Sequence, residues 1–539
     1  MPMSSEIDSS YVPQPITKRQ IISNERYRIL NSSPSTKSSA RSNQTIPSGK
    51  SGKRVSLSVI QFNNRQIPEV PSHEKGITRK CLLITLGILS VCVIAAIVIP
   101  IAIIFSRSTA TTSTTTVTTV VTSAYWSFDN TTNDLYGVYN GVLVNGATYY
   151  TSPGNNYQAT PFTGNGQSLA LASSLNQSVL ISSPFFNLSY TSFTLEAWIY
   201  ATTLSGDNDI FGQCQNILST NGCLYLIIRS ARLYMGFSPN YLTGSTILTI
   251  NTWYHVAYVY NYQTLQQILY VNGVQDAIQS SVQPYTGQNG SITIGTSSIL
   301  PGSNYFVGYI DNVALTTRAK SATELLSDAT MIFYFSFDNP NPSYDNGPNF
   351  LNGTVANVAT VSGRVNQALR FTGSSSYFQM YGFYNWGFYT KPFSIAMWVN
   401  PISLVGGTLL HFSDFIGGTG SCVDIIGLTS GGQIMIQAWY SNLPAIVGPQ
   451  LTINTWTHIG YTFSTTNGII LYVNGVMYLS TPSTGFYTSG YIMYITLGYN
   501  LGCCGCGNLP NIPYQGSIDE VHIYRRELSA TEIATLANP

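Results

Sequence analysis

Charge is what this chain has least of: Asp, Glu, Lys and Arg make up 8% of its 539 residues, and only five residues are histidine. The serine-hydrolase signature G-x-S-x-G and the zinc signature H-E-x-x-H are both absent, so neither chemistry is encoded in its usual local form. Long helical patterns are scarce as well, which argues against a helical bundle. The net charge of +1 hides an asymmetry. Residues 1–80 hold 13 Lys and Arg against 5 acids, whereas the chain beyond Arg107 holds 9 against 17. No nucleic-acid partner is expected.

One long apolar run is present. From Cys81 to Phe105 no residue is charged, and about 20 apolar residues suffice to cross a hydrocarbon core. The run follows 80 polar residues, so it reads as a retained transmembrane anchor rather than a cleaved signal peptide. Arg79 and Lys80 border it on the basic side. The positive-inside rule then predicts a single-pass type II protein of the plasma membrane, with residues 1–80 as a disordered cytosolic tail. PSGKSGKR near Lys50 is not a phosphate-binding loop, because Gln44 stands where that loop needs glycine. Residues 106–123 are Thr-rich and read as a stalk.

Six cysteines, Cys214, Cys223, Cys422, Cys503, Cys504 and Cys506, fall on the expected outer side, where disulfides persist. Cys214 and Cys223 are the simplest pair. Cys422 sits where Cys223 does in a second copy of the sequence and is expected to reach the CCGC cluster, for which a metal site is the competing reading. Asn-x-Ser/Thr triplets at Asn130, Asn176, Asn187, Asn289 and Asn352 suit a glycosylated ectodomain.

The remainder of the chain states one pattern twice. FTLEAWIY at Phe193 returns as FSIAMWVN at Phe393, and LTINTWYHVAY at Leu248 as LTINTWTHIGY at Leu451. LYVNGV recurs at Leu269 and Leu471, WSFDN at Trp126 is answered by FSFDN at Phe335, and GYIDNV at Gly308 by GSIDEV at Gly516. An offset of about 200 residues indicates two whole domains, 124–329 and 330–539. Short runs of Tyr, Val, Ile, Thr and Trp between Gly, Asn, Ser and Pro predict strands of a sandwich or barrel. Asn272-Gly273 and Asn474-Gly475 predict tight type I′ hairpins. SATE at Ser321 and Ser529 has capping-box spacing, so a short helical turn closes each domain. In the strand after NTW, Trp253, His255, Ala257 and Val259 share one face while Tyr254, Val256, Tyr258 and Tyr260 share the other, and both faces are apolar enough to be covered.

In this order the landmarks resemble the laminin-G-like, concanavalin A-like jelly roll, over both repeats. The resemblance implies an all-β fold of two tandem antiparallel jelly-roll sandwiches, beside the transmembrane helix and the disordered tail. It also implies a functional range from lectins and adhesion domains to glycoside hydrolases. Hydrolases of this fold carry several acids at alternate strand positions to protonate the leaving oxygen and to attack or activate water. No E-x-D-x-E occurs, and Glu196 is matched by Ala396, so no catalytic residue is assigned and a glycosidase is the distant alternative. His255 and His458 are expected to be core histidines satisfied by carbonyls, and Trp198, Trp253, Trp398 and Trp456 core aromatics. Tyr384 and Trp386 are the loop aromatics proposed to stack on sugar. Asp129 with Asp311, and Asp338 with Asp519, are repeated acids near the first and last strands of each domain. Related domains often hold structural Ca²⁺, which makes these four the expected ligands. The expected function is recognition of an extracellular glycan or glycoprotein, with two weak sites gaining avidity. A structural adhesion ectodomain with protein-only contacts is the alternative.

Overall fold

The computed structural model describes residues 123–150, 166–216, 218–298, 304–383, 391–438, 445–482, 486, 493–502 and 509–539. The tail at 1–80, the apolar run at 81–105, nearly all of the stalk, and Tyr384, Trp386, Cys503, Cys504 and Cys506 lie outside the described residues. Among the described residues no helix is long and apolar enough to cross a membrane.

Alternation of apolar side chains builds four antiparallel sheets, two to each repeat, with eight and seven strands in both. In the first repeat Phe193–Ala201, buried along its whole length, runs between Trp253–Asn261 and Gly308–Thr316. Ser123–Trp126 joins the same sheet by pairing with Gly308–Thr316, so the first and last strands of the domain lie side by side. The facing sheet runs Asn240–Thr243, Arg232–Phe237, Cys223–Arg229, Asn208–Cys214, Ile292–Ile294, Ser178–Ile181 and Val142–Val144. The second repeat copies this plan around Phe393–Pro401, which lies between Thr457–Ser464 and Gly516–Tyr524. The chain is all-β in two jelly-roll sandwiches.

Each sandwich closes on its own core. Val256, Tyr258 and Tyr260 point inward to meet Leu195, Leu226 and Met235, and Ile459, Tyr461 and Phe463 do the same in the second domain. The opposite face of the central strand is covered too, by a helix. Helix α1 (Ala322–Thr330) presses Leu325 onto Ala257, Val259 and Tyr270. Helix α2 (Ala530–Leu536) presses Ile533 onto Ile470, Tyr472 and Tyr524. Burying one such side chain contributes about 2 kcal/mol, so each helix is held chiefly by its anchor.

Both helices start on the expected capping boxes. The Glu324 amide donates to Ser321 Oγ at 3.2 Å and the Ser321 amide to Glu324 Oε2 at 2.8 Å, and Ser529 and Glu532 repeat the exchange. The hairpins take the positive φ that Asn-Gly favours, 52° and 77° at Asn272-Gly273, 49° and 79° at Asn474-Gly475. A Cβ at Gly273 would lie 2.6 Å from Leu326 Cα, so glycine there also lets the helix dock. Helix α1 runs directly into Met331–Phe335, the first strand of the second domain.

Candidate functional site

Pairing of the terminal strands sets Trp126 opposite Val313, which brings the turn after Trp126 to the irregularity that follows Asp311. Asp311 is 2% exposed. Burial, then the charge of Asp129, pushes its carboxyl well above the usual range. Asp311 Oδ1 accepts the Asn312 amide at 2.9 Å, and Asp129 Oδ1 the Gln167 amide at 2.8 Å. In the second domain Asp338 Oδ1 accepts the Gln367 amide at 3.0 Å. Asp519 accepts the amides of Arg364, Val365 and Glu520 at 2.7, 3.0 and 2.9 Å. Burial raises Asp519 to about 7, and Asp338 adds to the shift.

Each predicted acid pair is therefore brought together at one end of its sandwich. At Asp311 no basic side chain offsets the paired carboxylates, and a hard cation with several oxygen ligands fits such a cradle. Among the described residues no group of three or more His, Cys, Asp or Glu converges. Backbone carbonyls and water would have to complete the coordination.

A second repeated acid close by escaped the sequence reading. Asp134 accepts the amides of Tyr125, Val138 and Tyr139 at 2.7, 3.2 and 3.2 Å, while the Trp126 indole donates to the Tyr139 carbonyl at 2.7 Å. Asp345 accepts the amides of Tyr334, Gly347 and Leu351 at 2.8, 2.7 and 3.2 Å. These carboxylates organise the turn that follows the first strand. An insertion between the copies obscured their alignment, leaving only an acid downstream of each SFDN as the signal.

The repeated histidines sit on the outward face of the central strands. Each packs edge-on against a tryptophan: His255 on Trp198, with centroids 5.3 Å apart, and His458 on Trp398 at 5.4 Å. Among the described residues their expected carbonyl partners are not found. His255 Nε2 instead lies 3.5 Å from Glu196 Oε2, and Nδ1 of both rings has no hydrogen-bond partner. Burial, aided by His522, lowers His458 to about 3, so it is neutral and suits a core role. The hairpin asparagines Asn272 and Asn474 accept the main-chain amides of His255 and His458 at 3.0 and 2.9 Å.

Glu196 belongs to a buried ion network. Lys320 bonds both Glu196 and Asp328, the latter at 2.9 Å. Burial alone would raise Glu196, but Lys320 and His255 outweigh it and hold the carboxyl below the usual range. The equivalent second-domain residues are Ala396, Leu528 and Leu536, so the same space is filled there by apolar groups. An arginine covers each of the two tryptophans, with Arg364 Cζ 4.6 Å from Trp398 and Arg525 Cζ 4.8 Å from Trp198.

The outer face of the first domain's facing sheet carries the most distinctive surface. Leu224, Leu233 and Leu242 point into the core, which turns Tyr225, Tyr234 and Tyr241 outward on three adjacent strands. Their rings stack in series, 6.0 Å apart at 14° and then 5.2 Å apart at 23°. Exposure rises along the series from 3% at Tyr225 to 54% at Tyr241. Arg229 lies 4.3 Å over the Tyr234 ring and grips Asp207 through two bonds of 2.8 and 2.5 Å. Beside them Asp209 is fully buried and accepts from the Ser297 hydroxyl.

Nothing equivalent exists on the described face of the second domain. Asp424 replaces Tyr225 and His411 replaces Gly212. His411 Nδ1 lies 2.8 Å from Asp424 and Nε2 3.0 Å from the Gly418 carbonyl, while Asn500 donates to Asp424 at 3.1 Å. This buried cluster ties loop 414–420 to the sheet. The expectation of two equivalent sites therefore does not extend to this face.

All five outer sequon asparagines are exposed. Cys214 and Cys223 form a disulfide, and Cys422 is disulfide-bonded to a partner outside the described residues.

No curated protein shows significant similarity to the chain. Among solved structures, domain 4 of an extracellular arabinanase from Geobacillus stearothermophilus, solved with arabinotriose, is 20% identical. That match covers 39% of this chain and 98% of that one, with a TM-score of 0.28. Domains LG4-5 of the mouse laminin alpha1 chain are 10% identical over 65% of this chain and 88% of theirs, with a TM-score of 0.22. Trypanosoma rangeli sialidase is 12% identical over 69% of this chain and 60% of its own, with a TM-score of 0.30. Residues 173–326 and 372–534 both match the Laminin_G_3 family, and by that tandem match, over more than half its length, the chain belongs to the concanavalin A-like lectin/glucanases superfamily.

Proposed function

We propose that this chain is a type II surface protein, anchored through residues 81–105, whose ectodomain binds an extracellular glycan or glycoprotein without turning it over. The observation that carries the reading is the half-exposed Tyr241 ring, backed by its stack on Tyr234 and Tyr225 beside the Arg229–Asp207 ion pair. Aromatic faces take the apolar side of a sugar ring, and adjacent charged groups take its hydroxyls. The absence of alternating strand acids supports binding over hydrolysis. Full-length protein applied to a glycan array is expected to retain a restricted set of oligosaccharides and to release no reducing sugar. Release that one Asp or Glu substitution abolishes would establish the glycosidase alternative instead.

We also propose that Asp129 with Asp311, and Asp338 with Asp519, hold Ca²⁺, whose charge would replace the proton that burial favours on Asp311 and on Asp519. The ion would tie the first and last strands of each sandwich together. Chelation is then expected to lower the melting temperature, since an ion bound only to the folded state stabilises it by mass action. Identical melting in millimolar Ca²⁺ and in chelator would leave the pairs as hydrogen-bonded junctions alone.

A further inference from the structure

Basic side chains are nearly missing from the first domain. Residues 124–329 contain Arg229, Arg232, Arg318 and Lys320 as their only Lys or Arg, against nine Asp and Glu. Three of these four are held by acids: Arg229 by Asp207 at 2.5 Å, Arg318 by Glu324 at 2.8 Å, and Lys320 by Glu196 and Asp328. Arg318 and Lys320 also follow Gly308–Thr316, a strand of the other sheet. The tyrosine face is left with Arg229 and Arg232. Among the described residues Arg232 is in no ion pair, and it donates to the Ser245 carbonyl. Asp276 accepts the amide and the hydroxyl of that same Ser245 at 3.1 and 2.8 Å, which sets its charge beside the Arg232 guanidinium. Each cation of this face thus has an acid at hand.

We propose that this face binds a neutral glycan and that Asp207, by holding Arg229, turns acidic sugars away. The inference rests on the glycan-binding reading above and narrows its ligand. Arg229 lies over the Tyr234 ring with two of its donors on Asp207, so a sialic acid, sulfate or uronate could engage it fully only by breaking a bidentate pair. Such an anion would also meet the Asp207 carboxylate, and like charges across an interface are costly. What stays open is uncharged. The Tyr241 ring is 54% exposed, and exposed Thr243 follows it at the alternate position on the same face. An aromatic face suits the apolar side of a sugar ring, and hydroxyls that both donate and accept suit its hydroxyls.

Full-length protein is applied to an array on which neutral oligosaccharides stand beside their own sialylated, sulfated and uronate-bearing forms. The quantity read is the retention that Tyr241→Ala removes, which cancels retention by the basic residues of 1–80. Neutral forms are expected to exceed their acidic partners by at least about tenfold, and their retention to be the same at low and high salt, since no ion pair is formed with the ligand. Asp207→Asn frees the Arg229 guanidinium at nearly constant side-chain size, and is expected to narrow the preference about tenfold by admitting the acidic forms. Acidic forms retained as well as neutral ones, retention that high salt abolishes, or a preference that Asp207→Asn leaves unmoved would overturn the proposal while the glycan-binding reading stands. Absence of Tyr241-dependent retention on every printed glycan would overturn both.

Discussion

Glu196 shows how one side chain can mark a network that the sequence does not spell out. Its mismatch with Ala396 is visible in the duplicated pattern, yet Lys320 lies 124 residues away and reaches it only after the sheet and helix α1 have formed. The second domain shows that Ala396, Leu528 and Leu536 fill the same space. Buried ion pairs often contribute little net stability, whereas removing one partner strands the others. Lys320→Leu alone should therefore destabilise the protein by about 3–5 kcal/mol, and the triple change Glu196→Ala, Lys320→Leu, Asp328→Leu should restore most of that in denaturant titrations. A triple variant as unstable as the single one would contradict this account. Two other acids make stability depend on pH. Burial raises both Asp209 and Asp345 to about 7, so the folded chain keeps protons that the unfolded chain gives up above about pH 4. The stabilisation is complete below that pH and is lost as pH rises through 7. The melting temperature should fall between pH 5 and pH 8, and Asp209→Asn should flatten part of the slope.

At the scale of elements, what was legible was local. The Asn-Gly hairpins and the SATE caps depend on neighbours within a few residues, and both form as read, although helices of nine and seven residues replace the single turns expected. Ser321→Ala and Ser529→Ala should each cost about 1 kcal/mol, measured by urea unfolding. No change in either would mean that Leu325 and Ile533 alone hold the helices. The terminal acid pairs were legible because they recur at strand ends that the fold brings together. The tyrosine series was not, because Tyr225, Tyr234 and Tyr241 lie on three strands and align only once the order of the sheet is known. Alternation in CLYLIIRSARLYMGF hinted at outward tyrosines without showing that they stack.

At the scale of the molecule the repeats lean on each other. The Tyr125 ring of the first domain packs edge-on to Phe350 of the second at 4.7 Å, and its hydroxyl donates to the Pro348 carbonyl at 3.3 Å. Arg525 of the second domain covers Trp198 of the first, with Cζ 4.8 Å from the ring, and burial there lowers its guanidinium to about 10. The tandem is thus the unit to test. Its central claim is recognition through the outer face of the first domain, and the most direct measurement is the affinity of full-length protein for the oligosaccharide that the array retains. Tyr241→Ala is compared with the unaltered chain and with Phe415→Ala, which removes an exposed ring, 61% accessible, from the second domain. Loss of an aromatic stacking partner worth about 1.5 kcal/mol predicts roughly tenfold weaker binding for Tyr241→Ala, with Phe415→Ala unchanged. Binding undiminished by Tyr241→Ala would contradict the account.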